Sequence, residues 1–190
     1  MKKSVLLGTL ATALCLTTAA ASAGEIAVIV KTTNSNFWQN VNKGAAAALE
    51  GNAEHTLSFD GPASEAAVAD QVNLVENAVN RGVAAIVLAP SDPEALVPVV
   101  RRANESGIPV AIIDSALGES GAGLYQTFLS TDNCKAGEMA AQAVIDGAGT
   151  TGKVAVMSYV AGVGSEIGRV GCFTEYLKGN SELEIVGPYY

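Results

Sequence analysis

Three short apolar runs constrain this chain most: residues 26–30 (IAVIV), 84–90 (AAIVLAP) and 109–114 (PVAIID). None alternates apolar with polar. Such uninterrupted runs belong to strands covered on both faces, as in a parallel sheet, where crossover helices lie above and below. The intervening segments have helical character. Residues 37–50 end in AAAALE, and residues 64–81 carry Val68, Val72, Val75 and Val79 at helical spacing. Residues 93–105 follow Asp92, an N-cap residue, and open on Pro93 at the first helical position. Gly82 and Gly107 stand where helices end. Pro98 is predicted to bend the third helix or to displace its start. The run HTLSFD (residues 55–60) is a more polar strand, suited to a place nearer an edge. The fold class is α/β, with doubly wound parallel sheets.

The pattern then restarts. LYQTFLST (residues 124–131) reads as a strand, and Asp132 and Asn133 cap a helix running to about residue 146. KVAVMSYV (153–160) is a strand, a helix covers about 165–178, and EIVGPYY begins a further strand. Residues 24–130 thus form a first α/β domain, read with four strands and three helices. Residues 131–190 form a second, partial domain with two of each. Sixty residues are few for a complete α/β unit, so the chain is expected to be a fragment.

Residues 1–23 carry Lys2 and Lys3, an apolar stretch and the small-x-small signature Ala21-Ser22-Ala23. That is a secretory signal peptide, cleaved near Ala23, and its apolar part is too short to span a membrane. Cys15 follows Leu14, where a lipoprotein site would have a small residue. Removing the leader takes away two lysines and no acids, so the formal charge goes from −8 to −10. An acidic surface repels phosphate backbones and excludes nucleic acid as partner. Cys134 and Cys172 remain. Two separate buried thiols are the favoured reading of the pair, with a disulfide as the alternative that an oxidising compartment permits. His55 is the single histidine. No metal cluster and no nucleophile–base pair is expected, so the chain reads as neither a metalloprotein nor an enzyme. The glycines of GVGSEIG (162–168) do not have the spacing of a dinucleotide loop, and no cofactor is expected.

Ligands of open parallel sheets bind beyond the carboxyl ends of the strands. Those ends carry residues 31–38 (KTTNSNFW), Asp60, Ser91, Asp92, Asp114 and Ser115. Carboxylates and amides can grip neighbouring hydroxyls, and aromatic faces suit the apolar face of a sugar ring. Trp38, the single tryptophan, lies in a polar loop beside Phe37. The pair serves either as a carbohydrate cradle or as packing at a helix start. Lys31 alone reads first as a solvated strand-end charge, and Asp114 alone reads equally as a turn residue.

The order of these segments resembles one family. IAVIVKTTNSNFW, DQVNLVENAVNRGVAAIVLAPSDPEALVPVV, ANESGIPVAIIDS, STDNCKAGEMAAQ and GKVAVMSYVAG follow one another as in the ribose-type periplasmic sugar-binding proteins of bacterial ABC importers, which have the type I periplasmic binding protein fold. The first loop is similar to that of the family's allose binders, with Lys-Thr ahead of a Phe-Trp pair. The resemblance implies that Phe37 and Trp38 stack on the sugar, Lys31 and Asp114 bond its hydroxyls, and Arg169 reaches it from the second domain. Ser35 stands where the ribose and allose binders have asparagine, and Asn36 where they have proline. Ser115 replaces the arginine that follows the aspartate in the ribose binder. The resemblance further implies a hinge-bending clamp that captures a monosaccharide or polyol and hands it to a membrane permease. The alternative is a sensor that delivers a sugar or autoinducer to a membrane receptor such as a chemoreceptor.

Overall fold

The computed structural model describes residues 24–190. The leader and Cys15 lie outside them. The described residues form strands β1 (Gly24–Ile29), β2 (His55–Asp60), β3 (Ala85–Leu88), β4 (Val110–Ile113), β5 (Thr127–Leu129), β6 (Thr151–Met157) and β7 (Glu182–Tyr189). The α-helices are α1 (Asn36–Ala48), α2 (Val68–Arg81), α3 (Val97–Glu105), α4 (Asn133–Ala148) and α5 (Gly164–Asn180). The first five strands make one sheet in the order β2-β1-β3-β4-β5, and β6 pairs with β7 in a second. Every pairing is parallel.

The continuous apolar runs occupy the middle of the first sheet, and the polar HTLSFD strand is its edge, as expected. Successive side chains of a strand point to opposite faces. Ala27, Ile29, Ile86 and Leu88 therefore join one core with Val75, Ala78 and Val100 of α2 and α3. Val28, Val30 and Ala89 join the other, beneath Trp38, Val41 and Ala45 of α1. Both faces are covered, so a polar residue at Ala27, Val28 or Ile29 of β1, or at Ile86 or Leu88 of β3, would lose buried apolar area.

Several boundaries differ from the sequence reading. LYQTFLST supplies β5 to the first sheet, which has five strands rather than four; the amide of Gln126 reaches the carbonyl of Val110 and fixes the register. Residues 64–67 are a turn, so α2 begins at Val68 rather than residue 64. Asp92 does cap a chain reversal, its Oδ1 accepting from the amides of Glu94 and Ala95 at 2.8 and 2.7 Å. The helix behind that turn starts only at Val97, because Pro98 fits the first turn and not an interior position. Gly82, the C-cap of α2, has φ 68°, the left-handed conformation that closes a helix without a Cβ penalty. The strand EIVGPYY is paired on one side by β6. Cys134 and Cys172 form a disulfide with Cα atoms 5.1 Å apart, which overturns the reading of two buried thiols. Cys134 is exposed, so burial would not have shielded it.

At the far end of β1 the carboxylate of Glu25 binds Arg81 at 2.7 Å and accepts from Ser58. The hydrogen bond from Arg81, then that from Ser58, holds the Glu25 carboxyl below its ordinary value. A lowered folded-state pKa stabilises the fold above the unfolded value and ceases to do so as pH falls through the folded one. Glu25→Gln should therefore lower the urea midpoint at pH 7 and leave it unchanged once the pH lies below the folded value. Equal losses at both ends of a pH series would show that the pair's charge is irrelevant.

Candidate ligand site

The carboxyl ends of β1 and β4 face the first turns of α1 and α5. Beyond β1 the chain places Lys31, whose side chain is 1% exposed. Its ammonium donates to Asp114 Oδ2 at 2.6 Å, Ser115 Oγ at 2.7 Å and Ser165 Oγ at 3.3 Å. An ammonium has three donors, and these three bonds use all of them. Lys31 is thus neither solvated nor free to bond a further group. Asp114 remains 22% exposed, and its Oδ1 has no protein partner among the described residues.

Asp114 adopts φ 64°, the left-handed region that a non-glycine residue enters at a cost. Its neighbours hold it there. The Asp114 amide donates to Leu129 O at 2.9 Å, the Ser115 amide reaches back to Ile113 O at 2.7 Å, and Ser130 Oγ donates to Asp114 O at 2.8 Å. Asp114 is therefore a turn residue that also lines a cavity. Asparagine and aspartate tolerate this conformation better than alanine does.

Ser35 is the N-cap of α1, its Oγ accepting from the Trp38 amide at 3.3 Å. That cap fixes both aromatics. Trp38 is 2% exposed and packs on Val28 and Val30, while Phe37 is 58% exposed. The rings meet edge to face with centroids 4.8 Å apart. Trp38 therefore belongs to the core and still lines a cavity. Its indole N–H donates to Glu65 Oε1 at 3.0 Å.

Lys31, Ser35, Phe37, Trp38, Asp114 and Arg169 surround one cavity of about 190 Å³, joined by Glu65, Tyr159 and Ser165. This is small beside the ~300–1,000 Å³ of pockets for drug-sized molecules. Ser115 stands behind its wall and is buried. The Ser115 hydroxyl accepts from Lys31 and from the Ser165 amide, and donates to Asp114. Asp60, Ser91 and Asp92 do not reach the cavity. Sequence reasoning missed Glu65, Tyr159 and Ser165. Tyr159 and Ser165 follow β6, so the strand-end rule would have found them had it been applied to the second sheet; Glu65 lies in the turn before α2 and carries no such signal. Burial, opposed by the bond to Ser165, pushes the Tyr159 phenol above its usual value, so it is a neutral hydroxyl at ordinary pH.

Residues 26–190 match the family described as a periplasmic binding protein domain. The chain belongs to this family. It is one of solute-binding proteins, and the architecture is the type I periplasmic binding fold. The chain is 32% identical over 178 residues to the D-allose-binding periplasmic protein of Escherichia coli K12, covering 91% of this chain and 57% of that protein. It is 31% identical to the ribose import binding protein RbsB of Bacillus subtilis 168, over 72% of this chain and 43% of the relative. The chain thus spans about half the length of these curated relatives. An ABC transporter solute binding protein from Agrobacterium vitis with bound D-fucose superposes with TM-score 0.87 at 67% identity, over 88% of this chain and 58% of that one. XylFII in complex with LytSN matches with TM-score 0.77 at 28% identity, over 87% of this chain and 59% of that one.

Removing Lys31 would leave Asp114 without its cation in a largely dry setting. Lys31→Ala should cost about 3 kcal/mol, the lower end for breaking a buried pair because Asp114 keeps some water. Chemical unfolding measures this, and a loss below about 1 kcal/mol would show that the pair behaves as a surface one.

Proposed function

We propose that this chain captures a monosaccharide in the cleft between two α/β domains, residues 24–130 and 131–190, for delivery to the permease of an ABC importer. The observation that carries this reading is the convergence of an aromatic pair, a free carboxylate oxygen and an arginine on one small cavity. The 67% identical structure holds D-fucose, so D-fucose and related aldoses are the first candidates. Phe37 and Trp38 supply the apolar face. Asp114 Oδ1 accepts from ring hydroxyls, and Arg169 donates from the second sheet's side. Lys31 aims Asp114 rather than bonding sugar, and Ser115 supports both.

Capture follows a population shift. Sugar stabilises the closed arrangement through contacts that both domains make at once, and release follows when a partner favours the open one. Export by the leader and residence in the periplasm complete this reading. Delivery to a membrane receptor is the second reading, favoured by the neighbour solved in complex with LytSN. Uptake of labelled sugar in a strain lacking the protein separates the two: import requires it, whereas sensing leaves uptake intact and removes only the response.

The binding test is calorimetry against pentoses, hexoses and polyols, beside Trp38 fluorescence. A hydrogen bond to a charged group contributes about 1.5–3 kcal/mol. Asp114→Asn, which tolerates the same backbone, should therefore weaken binding about tenfold or more, and Asp114→Ala further. Undiminished affinity in both variants would remove Asp114 from the site.

A further inference from the structure

The two helices that carry Arg169 and its partner belong to successive strand–helix units, and no local rule fixes the distance between them. Three contacts do so here. Cys134, in the first turn of α4, is bridged to Cys172 in the third turn of α5. Gly137 is buried against α5, and a Cβ there would run into the carbonyl oxygen of Arg169 and the amide of Phe173. Asn133, adjacent to Cys134, accepts from Arg169 Nη2 at 2.7 Å. A Cβ on Gly168 would lie 3.3 Å from that of Asn133, so the backbones stay close up to the mouth of the cleft.

These contacts converge on one side chain. One end of the bridge adjoins the residue that holds the Arg169 guanidinium. The other lies three residues beyond Arg169, on the same face of α5. Arg169 is exposed and lines the cavity that Asp114 enters. An exposed arginine ordinarily loses rotamer freedom when it grips a ligand, and fixing it beforehand removes that loss.

We propose that the Cys134–Cys172 bridge and Gly137 are positioning residues for Arg169, so that opening the bridge weakens sugar capture through the arginine and not by unfolding the chain. The inference rests on the cleft being a sugar site. Cys134 is exposed, so a reductant reaches the bridge in the folded protein.

The experiment is a double-mutant cycle on the full chain, with D-fucose titrated calorimetrically and the thermal midpoint recorded for each variant. The four proteins are wild type, Cys134→Ala/Cys172→Ala, Arg169→Ala, and all three substitutions together. Loss of the bridge should weaken binding about tenfold when Arg169 is present and by less than about twofold when it is absent, the coupling expected of residues acting through one another. The same loss in both backgrounds, or no loss in either, overturns the proposal, since a merely structural bridge behaves so. If the cysteine variant does not fold, wild type and Arg169→Ala are compared oxidised and reduced by a phosphine. Unfolding on reduction also overturns the proposal. A wild type that binds no sugar of the panel sinks the functional reading itself, whereas wild-type binding insensitive to the bridge sinks only this inference.

Discussion

The ammonium of Lys31 is buried between the carboxyl end of the first sheet and the first turn of α5, and the cleft is organised around it. A buried cation is tolerated only where its donors are satisfied. Asp114 and Ser115 from the first sheet and Ser165 from α5 satisfy them. The contact with Ser165 makes this one network across two units. It holds Asp114 Oδ2 and leaves Oδ1 without a protein partner among the described residues. It also brings the N-terminus of α5, and with it Arg169, to the same place.

The support beneath that network is a second polar residue, Gln71 of α2, which is fully buried. Its amide nitrogen donates to the carbonyls of Val30 and Ala89, and its oxygen accepts from the amide of Ser91 at 2.8 Å. These groups lie where β1 and β3 stop pairing. Buried backbone groups must find partners, and Gln71 gives them one. The two strands can therefore end side by side, and Lys31 emerges from a fixed point. Gly61 serves the same junction, since a Cβ there would lie 2.9 Å from the carbonyl oxygen of Val30.

Much of the fold was legible in the sequence because its signals are local. Uninterrupted apolar runs identified β1, β3 and β4, and helical spacing identified α2. Glycines marked the ends of α2 and α3. Where competing local signals met, the reading slipped. Asp92-Pro93 is a good helix start, yet Pro98 dictates a later one. LYQTFLST looks like the opening of a new unit, although its backbone partner Val110 lies earlier in the chain. The strand-end rule found the loop of Phe37 and Trp38, together with Asp114, but not Glu65, which approaches the cleft from a turn.

The sequence by itself determined the alternation of strand and helix, the parallel sheet and the residues at its carboxyl edge. Each of these follows from the period of apolar residues and from the backbone preferences of glycine and proline, which act over a few positions. Only the tertiary structure decided the roles of those residues. Lys31 alone reads in sequence as a solvated charge; three partners at separations of 83, 84 and 134 residues bury it instead. Cys134 and Cys172 read as separate thiols until α4 and α5 are packed together. Trp38 reads as either packing or cradle, and the folded chain packs it in the core while leaving it at the edge of the cavity. Bonds between distant residues depend on where whole elements are placed, and no local pattern carries that information.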